Sequence, residues 1–314
     1  MKFKILPLFI SFLFIHILAT KSQNINIIPK PHEFYFNKSS LVIDENTLII
    51  SLKESEKSAE KLQNYFKEAF HLNIKSTEFQ SLKKKAIHFK IDENLTNEGY
   101  ELSISEEGIT ICALDDQGWF YAVQSLIQYC SSNSFFSKYQ KSIKLKGVTI
   151  KDSPRFKWRA FMLDEARYFK GMQQVKMLLD EMAFLKMNVF HWHLVDDQGW
   201  RIEIKKYPKL TEIGSKRKST QVGPLMWDSP MQSAEPHEGF YTQEQIKEII
   251  QYAKERHITI VPEIEMPGHS TAAIASYPWL GTSKKELEVP IKFGVGKDVY
   301  DVTNPRVTQF LKDV

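Results

Sequence analysis

The sequence predicts an α/β protein in which a small α/β domain precedes the first part of a parallel (β/α)8 barrel. Three observations support this fold class. Strand and helix patterns mix without a fixed order up to about residue 130, whereas from Lys151 onward short apolar strands alternate with amphipathic helices. Such alternation is typical of a parallel sheet covered by helices. Charged residues also follow each apolar strand directly, as they do at the open rim of a barrel.

The amino-terminal segment, residues 1–22, has the pattern of a cleavable secretory signal. Lys2 and Lys4 precede an apolar stretch, and small residues follow it. This stretch is shorter than the roughly 18–20 residues that span a bilayer. We therefore expect a secreted or periplasmic protein without a stable membrane span, with an uncleaved anchor as the alternative. No cysteine lies near the cleavage region, which argues against a lipoprotein.

The composition narrows the classes of function. With 42% hydrophobic and 25% charged residues, the chain is an ordinary soluble globular protein. The net charge of +4 is mild and the lysines are scattered, so we expect no nucleic-acid partner. Cys112 and Cys130 are the only cysteines, too few for a disulfide framework or an ordinary zinc site. We expect both to be buried and unreactive.

Residues 23–150 are predicted to form the small α/β domain. Strand-like runs cover residues 41–52 and 86–91, and two alternating runs flank Gly108 as a hairpin would. A helix is predicted from Trp119 to Cys130. This domain shows no pattern of catalytic residues.

Residues 151–314 are predicted to be the amino-terminal part of the barrel. The predicted strands are Ala160–Asp164, residues 189–195 and residues 258–263. Apolar residues at helical spacing lie between them, and Thr242 with Gln245 forms a capping box before the second helix. A last helix begins at Asn304 and Pro305, and the chain ends on its apolar stripe. With three strands of a possible eight, we expect an incomplete barrel in a truncated chain.

Each predicted strand delivers polar side chains to the same rim. Arginine has five donors in a fixed geometry, which suits sugar hydroxyls or a carboxylate. A histidine beside an aspartate suits proton transfer. A purely structural arginine–aspartate pair is the alternative. The residues concerned are Asp164, Glu165, Arg167, Asp196, Asp197, Glu263, Glu265 and His269.

Two histidines and three tryptophans allow further interpretations. His191 and His193 share one face of a strand and could bind a metal, but their place in an apolar run favours core histidines. Trp158, Trp192 and Trp200 could stack on sugar rings, although for Trp158 and Trp192 we expect core packing. No zinc-protease, nucleophile-elbow, phosphate-loop or dinucleotide motif occurs. We therefore predict neither a cofactor nor a metal.

Four segments together resemble the family-20 glycoside hydrolases, the β-N-acetylhexosaminidases. Their order and spacing match the family, and residues 25–150 resemble its accessory α/β domain. The resemblance covers about residues 25–314 and implies a TIM-barrel catalytic domain. The four segments are DSPRFKWR (152–159), LDEARYF (163–169), HWHLVDDQGWR (191–201) and VPEIEMPGH (261–269).

The resemblance also implies roles for three residues. Arg167 would bind the hydroxyls of the terminal sugar, and Asp196 with His269 would form a dyad that supports proton movement. Members of the family remove terminal β-linked N-acetylglucosamine or N-acetylgalactosamine from glycans. The acetamide oxygen of the sugar attacks the anomeric carbon, so the usual scheme of two protein carboxylates does not apply. The oligomeric state is not indicated.

The sequence departs from the family in one respect. The acetamide-orienting Asp and the general-acid Glu of the family lie in a Gly-Gly-Asp-Glu motif, which does not occur in these 314 residues. We therefore expect a β-N-acetylhexosaminidase by descent whose 314 residues alone are inactive and poorly stable. The alternatives are a non-catalytic glycan-binding or interaction protein, and assembly with a separately encoded second half.

Overall fold

The computed structural model describes residues 24–78, 85–133, 142–223 and 229–314. The predicted signal segment, residues 1–22, lies outside these ranges. Within them, no helix combines the length and apolar character needed to cross a membrane.

The first part of the chain forms a seven-stranded mixed sheet with two helices. The strand order is β1-β7-β5-β6-β4-β2-β3. A single 3-10 turn, Lys53–Ser55, precedes the first helix. In chain order the elements are β1 (Glu33–Asp44), β2 (Leu48–Ser51), α1 (Glu56–Phe70), β3 (Lys75–Glu78), β4 (Ala86–Ile91), β5 (Tyr100–Ser105), β6 (Gly108–Ala113), α2 (Asp116–Asn133) and β7 (Ser142–Asp152).

The core of this part lies between the sheet and its helices. Strands β5 and β6 form the predicted antiparallel hairpin, and Tyr100 pairs with Ala113 across it. The alternation of β5 buries Tyr100, Leu102 and Ile104, because successive side chains of a strand point to opposite faces. Helix α2 is longer than predicted and also buries Cys130, whereas Cys112 is only partly buried. The expectation that Cys112 is buried is therefore wrong.

The second part of the chain contains a three-stranded parallel sheet in the order β14-β9-β8. Two amphipathic helices, α3 and α5, connect its strands. A short 3-10 turn, Pro278–Leu280, follows α6. In chain order the elements are β8 (Ala160–Asp164), α3 (Met172–Phe184), β9 (Val189–His193), β10 (Val195–Asp196), β11 (Gly199–Trp200), α4 (Lys209–Glu212), β12 (Lys216–Arg217), β13 (His237–Glu238), α5 (Gln243–Lys254), β14 (Thr259–Glu263), α6 (Thr271–Ser276) and α7 (Pro305–Asp313).

Local sequence signals account for several of these element boundaries. The Thr242 hydroxyl accepts the Gln245 amide in the predicted capping box of α5. The Asn304 side chain accepts the Arg306 amide at the start of α7, and Phe310 is buried on the inner face of that helix. Strand β9 ends two residues earlier than predicted, because Val195 and Asp196 pair with β11 in a separate short hairpin.

Partly buried polar contacts join the two sheets. The Arg159 guanidinium, at the start of β8, lies 3.0 Å from the Glu98 carboxylate. The Lys186 ammonium, just after α3, lies 3.2 Å from the Asp152 carboxylate at the end of β7. The barrel strands are thus fixed against the first sheet at the ends opposite the polar rim.

The tryptophan interpretations have mixed outcomes. Trp192 is 1% exposed and packs in the core as predicted. Trp158 is 64% exposed, so the expectation of core packing is wrong for this residue. Trp200 is buried and donates its indole N–H to the Ile202 carbonyl, which excludes the suggested stacking on a sugar.

Candidate active site

The register of the parallel sheet brings three strand ends to one level. His193 at the end of β9 pairs with Asp164 of β8 on one side and with Glu263 of β14 on the other. Because the strands run in the same direction, the residues that follow them leave on the same side. This rim holds every site residue that the sequence predicts.

Asp196 lies at the centre of the rim on the short strand β10. Its carboxylate is buried, and Oδ1 accepts hydrogen bonds from the Asp197 amide at 2.6 Å and from His269 Nδ1 at 2.9 Å. The other oxygen, Oδ2, lies 2.6 Å from Arg167 Nη2 and 3.2 Å from His193 Nε2. Asp196 therefore joins the predicted arginine and the predicted histidine.

Arg167 follows β8 and is held on three sides. Its Nη1 donates to Asp164 Oδ2 at 2.9 Å, and its Nε donates to Gln198 Oε1 at 3.3 Å. The Phe293 ring centroid lies 5.8 Å from the guanidinium carbon. The side chain retains 23% exposure, so the guanidinium is oriented and still accessible.

His269 reaches the rim from the loop after β14. Its backbone has a positive φ of 50°, which turns the side chain back toward Asp196. Nδ1 faces the carboxylate, and the side chain is 35% exposed. Nε2, on the opposite side of the ring, is the atom that can exchange a proton with a bound molecule.

Asp197 and Gln198 hold two loops around the site. Asp197 accepts the backbone amides of Thr271 at 3.0 Å and Gly296 at 2.8 Å. The Gln198 amide donates to the carbonyls of Lys292 and Gly294. The loop that carries Phe293 is therefore anchored beside Arg167. Phe293 could not be predicted from the sequence, because it lies in a loop without strand or helix periodicity.

The charges around Asp196 set the protonation of the site. Burial alone raises the pKa of Asp196, but the hydrogen bonds from His193 and the Asp197 amide and the charge of Arg167 lower it below its usual value. Burial raises the pKa of Glu265, as does its hydrogen bond to Glu263. Asp196 is thus the ionised carboxylate of the site.

The two histidines of β9 differ in their surroundings. His193 is buried and hydrogen-bonded, so the core-histidine interpretation is confirmed for it. It is wrong for His191, whose side chain is 37% exposed and lies 2.6 Å from the Glu263 carboxylate.

Two clusters of described side chains have potential ligand atoms within 4.8 Å of one another. The acidic and imidazole groups in both clusters pair with each other, and we assign no metal ligand here. The clusters are His193 with Glu263 and Glu265, and Asp196 with Asp197 and His269.

Comparisons with known proteins identify the family that the sequence matches. The sequence profile of glycosyl hydrolase family 20, domain 2, matches residues 24–153, and that of the catalytic domain of glycosyl hydrolase family 20 matches residues 156–314. A β-hexosaminidase of Porphyromonas gingivalis is 38% identical over 300 residues, which are 93% of this chain and 37% of that protein. A β-hexosaminidase of Vibrio furnissii is 36% identical over 83% of this chain and 41% of its own length.

Solved structures show the same similarity. The N-acetyl-β-hexosaminidase of Streptomyces plicatus in complex with Thio-NAglucal has a TM-score of 0.79 at 31% identity, covering 92% of this chain and 55% of that one. The β-N-acetylhexosaminidase of Bacteroides fragilis has a TM-score of 0.72 at 35% identity, covering 92% and 53%. The chain therefore spans only about half of these two structures and less of the two relatives above.

Proposed function

The chain belongs to glycosyl hydrolase family 20, and on this basis we propose that the protein to which residues 1–314 belong is a β-N-acetylhexosaminidase. The proposed reaction is hydrolysis of terminal, non-reducing N-acetyl-β-D-hexosamine residues with retention of configuration. Its targets are β-linked N-acetylglucosamine or N-acetylgalactosamine glycans. One observation carries the proposal: Arg167 and His269 hold opposite oxygens of the buried Asp196 carboxylate.

Arg167 is the proposed sugar-binding residue. Each nitrogen of its guanidinium contacts one side chain, namely Asp164, Asp196 or Gln198. The group is therefore oriented before a ligand binds. Two of its five N–H groups donate hydrogen bonds in this way, and Nη2 is held by the ion pair with Asp196, so N–H groups remain that can donate to sugar hydroxyls. Because the side chain is already ordered, binding the sugar costs little further conformational entropy.

The Asp196–His269 dyad is proposed to support proton movement. In the substrate-assisted reaction, the acetamide oxygen forms a bond to the anomeric carbon while the bond to the leaving-group oxygen breaks. That oxygen needs a proton. In the family, the Asp and Glu of a Gly-Gly-Asp-Glu motif orient the acetamide and supply the proton, and this motif does not occur in residues 1–314. The ionised Asp196 orients His269 through Nδ1, so that Nε2 of the ring faces away from the carboxylate and toward the space where a sugar would bind.

For residues 1–314 by themselves, glycan binding without turnover is the second candidate. The oriented Arg167 guanidinium favours it, since sugar binding does not need the absent motif. General acid catalysis contributes about 10²–10⁴ in rate, so these residues alone should bind a sugar far better than they cleave it.

Assay of the protein expressed from its complete reading frame tests the proposal. We expect release of nitrophenol from 4-nitrophenyl N-acetyl-β-D-glucosaminide or the corresponding galactosaminide, and strongly reduced release by Asp196→Asn. No hydrolysis of either substrate by the folded protein would contradict the proposed activity. An equal rate of hydrolysis by the wild type and by Asp196→Asn would contradict the assigned site.

We also propose export to the periplasm or the medium. The proposal rests on the charged and apolar pattern of residues 1–22. Amino-terminal sequencing of the protein from its source should find a mature chain that starts near residue 23. An intact Met1 on most molecules would contradict export by cleavage.

A further inference from the structure

His193 is the last residue of β9, and within the described part of the chain both of its ring nitrogens face hydrogen-bond acceptors. Nε2 lies 3.0 Å from the Val195 carbonyl and 3.2 Å from Asp196 Oδ2. Nδ1 lies 3.4 Å from Glu263 Oε2. A neutral imidazole has one donor and one acceptor nitrogen, whereas an imidazolium has two donors. The two nitrogens can both be satisfied only when the ring carries two protons or a facing carboxyl group is protonated.

The charged groups around His193 favour the doubly protonated ring. Glu265 Oε1 lies 3.5 Å from Nε2, and Asp164 is the register partner of His193 on the neighbouring strand β8. Burial of the ring and the charge of Arg167 lower the pKa of His193, but the facing carboxylates raise it above the usual value. Arg167 is itself paired with Asp164 and Asp196. The buried His193 ring is therefore surrounded by four carboxyl groups and one guanidinium, that of Arg167. The four carboxyl groups belong to Asp164, Asp196, Glu263 and Glu265.

We propose that His193 is a positioning residue that, as an imidazolium, holds Asp196 Oδ2 together with Arg167 and leaves Oδ1 to His269. Two cations on one oxygen keep the carboxylate ionised and stop it from rotating. Removing the His193 charge leaves only Arg167 on that oxygen, so Asp196 gains a proton more easily and loses its alignment with His269. The kinetic consequence rests on the proposed hexosaminidase function, whereas the charge state of His193 does not.

Kinetics of the complete protein test the positioning role. In His193→Gln, the amide can still donate one hydrogen bond but carries no charge. We expect kcat to fall about 10- to 100-fold with KM changed less than about twofold, because the reacting groups lose alignment while Arg167 still binds the sugar. The acid limb of kcat/KM should move to higher pH, since Asp196 protonates more easily.

His191→Gln is the matched control. His191 lies on the same strand and pairs with Glu263 at 2.6 Å, yet it does not contact Asp196. In His191→Gln, the pH of the acid limb of kcat/KM should equal that of the wild type within error. If His193→Gln lowers the melting temperature but leaves the acid limb unmoved, His193 is only structural and the proposal is wrong.

Ring ¹⁵N NMR of histidine-labelled protein tests the charge without any activity. We expect both His193 nitrogens to carry protons at pH 7, and one of them to lose its proton at that pH in Asp196→Asn. A neutral His193 ring at pH 7 in the wild-type protein overturns the proposal. A wild-type protein with a charged His193 and no hydrolysis would instead reject the hexosaminidase function alone.

Discussion

Asp196 Oδ1 and His269 Nδ1 lie 2.9 Å apart although 73 positions separate the two residues in the chain. The parallel arrangement of β9 and β14 produces this contact, because both residues leave their strands on the same side. The aspartate lies on a two-residue strand, and the histidine lies in a loop and itself has a positive φ. The contact therefore depends both on the sheet and on the short segments that follow its strands.

Asp196→Asn should lower kcat of the complete protein by about 10²-fold or more, the range of general acid–base assistance. Asparagine preserves the shape of the side chain but removes the carboxylate that orients His269 through Nδ1. The measurement is steady-state hydrolysis of an aryl N-acetyl-β-glucosaminide. Asp164→Asn is the control, because it removes the negative charge beside Arg167 and Asp164 is not bonded to His269. This variant should mainly raise KM. A kcat of Asp196→Asn within twofold of wild type would be inconsistent with the dyad.

Arg167→Lys should raise KM about 10- to 100-fold, since hydrogen bonds to a charged group contribute about 1.5–3 kcal/mol. Lysine supplies a point charge and cannot donate to Asp164, Gln198 and a sugar in a fixed geometry. Arg256→Lys is the control, because Arg256 pairs with Asp180 between helices α3 and α5 and does not touch the rim. Equal KM values for the two variants would show that Arg167 does not bind the sugar.

The stability of the protein should fall between about pH 6.5 and pH 4 because of His237. Its Nε2 accepts the Phe169 amide at 2.9 Å, so the ring must be neutral, and burial with the charges of Arg217, Arg201 and Lys170 lowers its pKa to about 4. The unfolded chain protonates this histidine near pH 6.5. The stabilisation is therefore complete above that pH and is lost as pH falls toward the folded pKa.

Urea unfolding of the wild type and of His237→Gln at several pH values tests this prediction. Glutamine can still accept the Phe169 amide but does not titrate. The free energy of unfolding of the wild type should fall more steeply from pH 6.5 to pH 4 than that of the variant. Parallel curves would show that His237 does not cause the loss.

Gly199→Ala should destabilise the protein by about 1–3 kcal/mol, the usual cost of overpacking. A Cβ at this position would lie 2.7 Å from the Ala166 carbonyl and would also clash with the buried Arg201 guanidinium. Gly268→Ala is the matched control, because no heavy atom lies within 4 Å of its added Cβ. Thermal unfolding of both variants gives the comparison, and equal melting temperatures would contradict the predicted clash.

Much of the second sheet could be predicted from the sequence. Strand Ala160–Asp164 has the predicted bounds, and the caps at Thr242 and Asn304 are where short-range side-chain chemistry places them. These features depend on neighbours within a few residues, so a single sequence contains the signal. Trp158 shows the limit: an aromatic residue before an apolar strand suggests core packing, but its exposure depends on which distant segments cover it.

The candidate site could be predicted as a set of residue types but not as a set of contacts. Polar residues after apolar strands identified Arg167, Asp196 and His269, which the structure brings together. The contact of His193 with Asp196 could not be foreseen, because it depends on how the short strand β10 after Leu194 directs the carboxylate back to the end of β9. The place of Phe293 depends on long-range bonds from Gln198 to a loop without periodicity.

Dependence of hydrolysis on the acetamide group tests the central claim most directly. The complete protein should be assayed with 4-nitrophenyl N-acetyl-β-D-glucosaminide and with 4-nitrophenyl β-D-glucopyranoside, which lacks the acetamide. If the sugar's own acetamide attacks the anomeric carbon, only the first substrate should be cleaved at a measurable rate, and Asp196→Asn should reduce that rate. Comparable cleavage of both substrates, or of neither, would contradict a substrate-assisted β-N-acetylhexosaminidase.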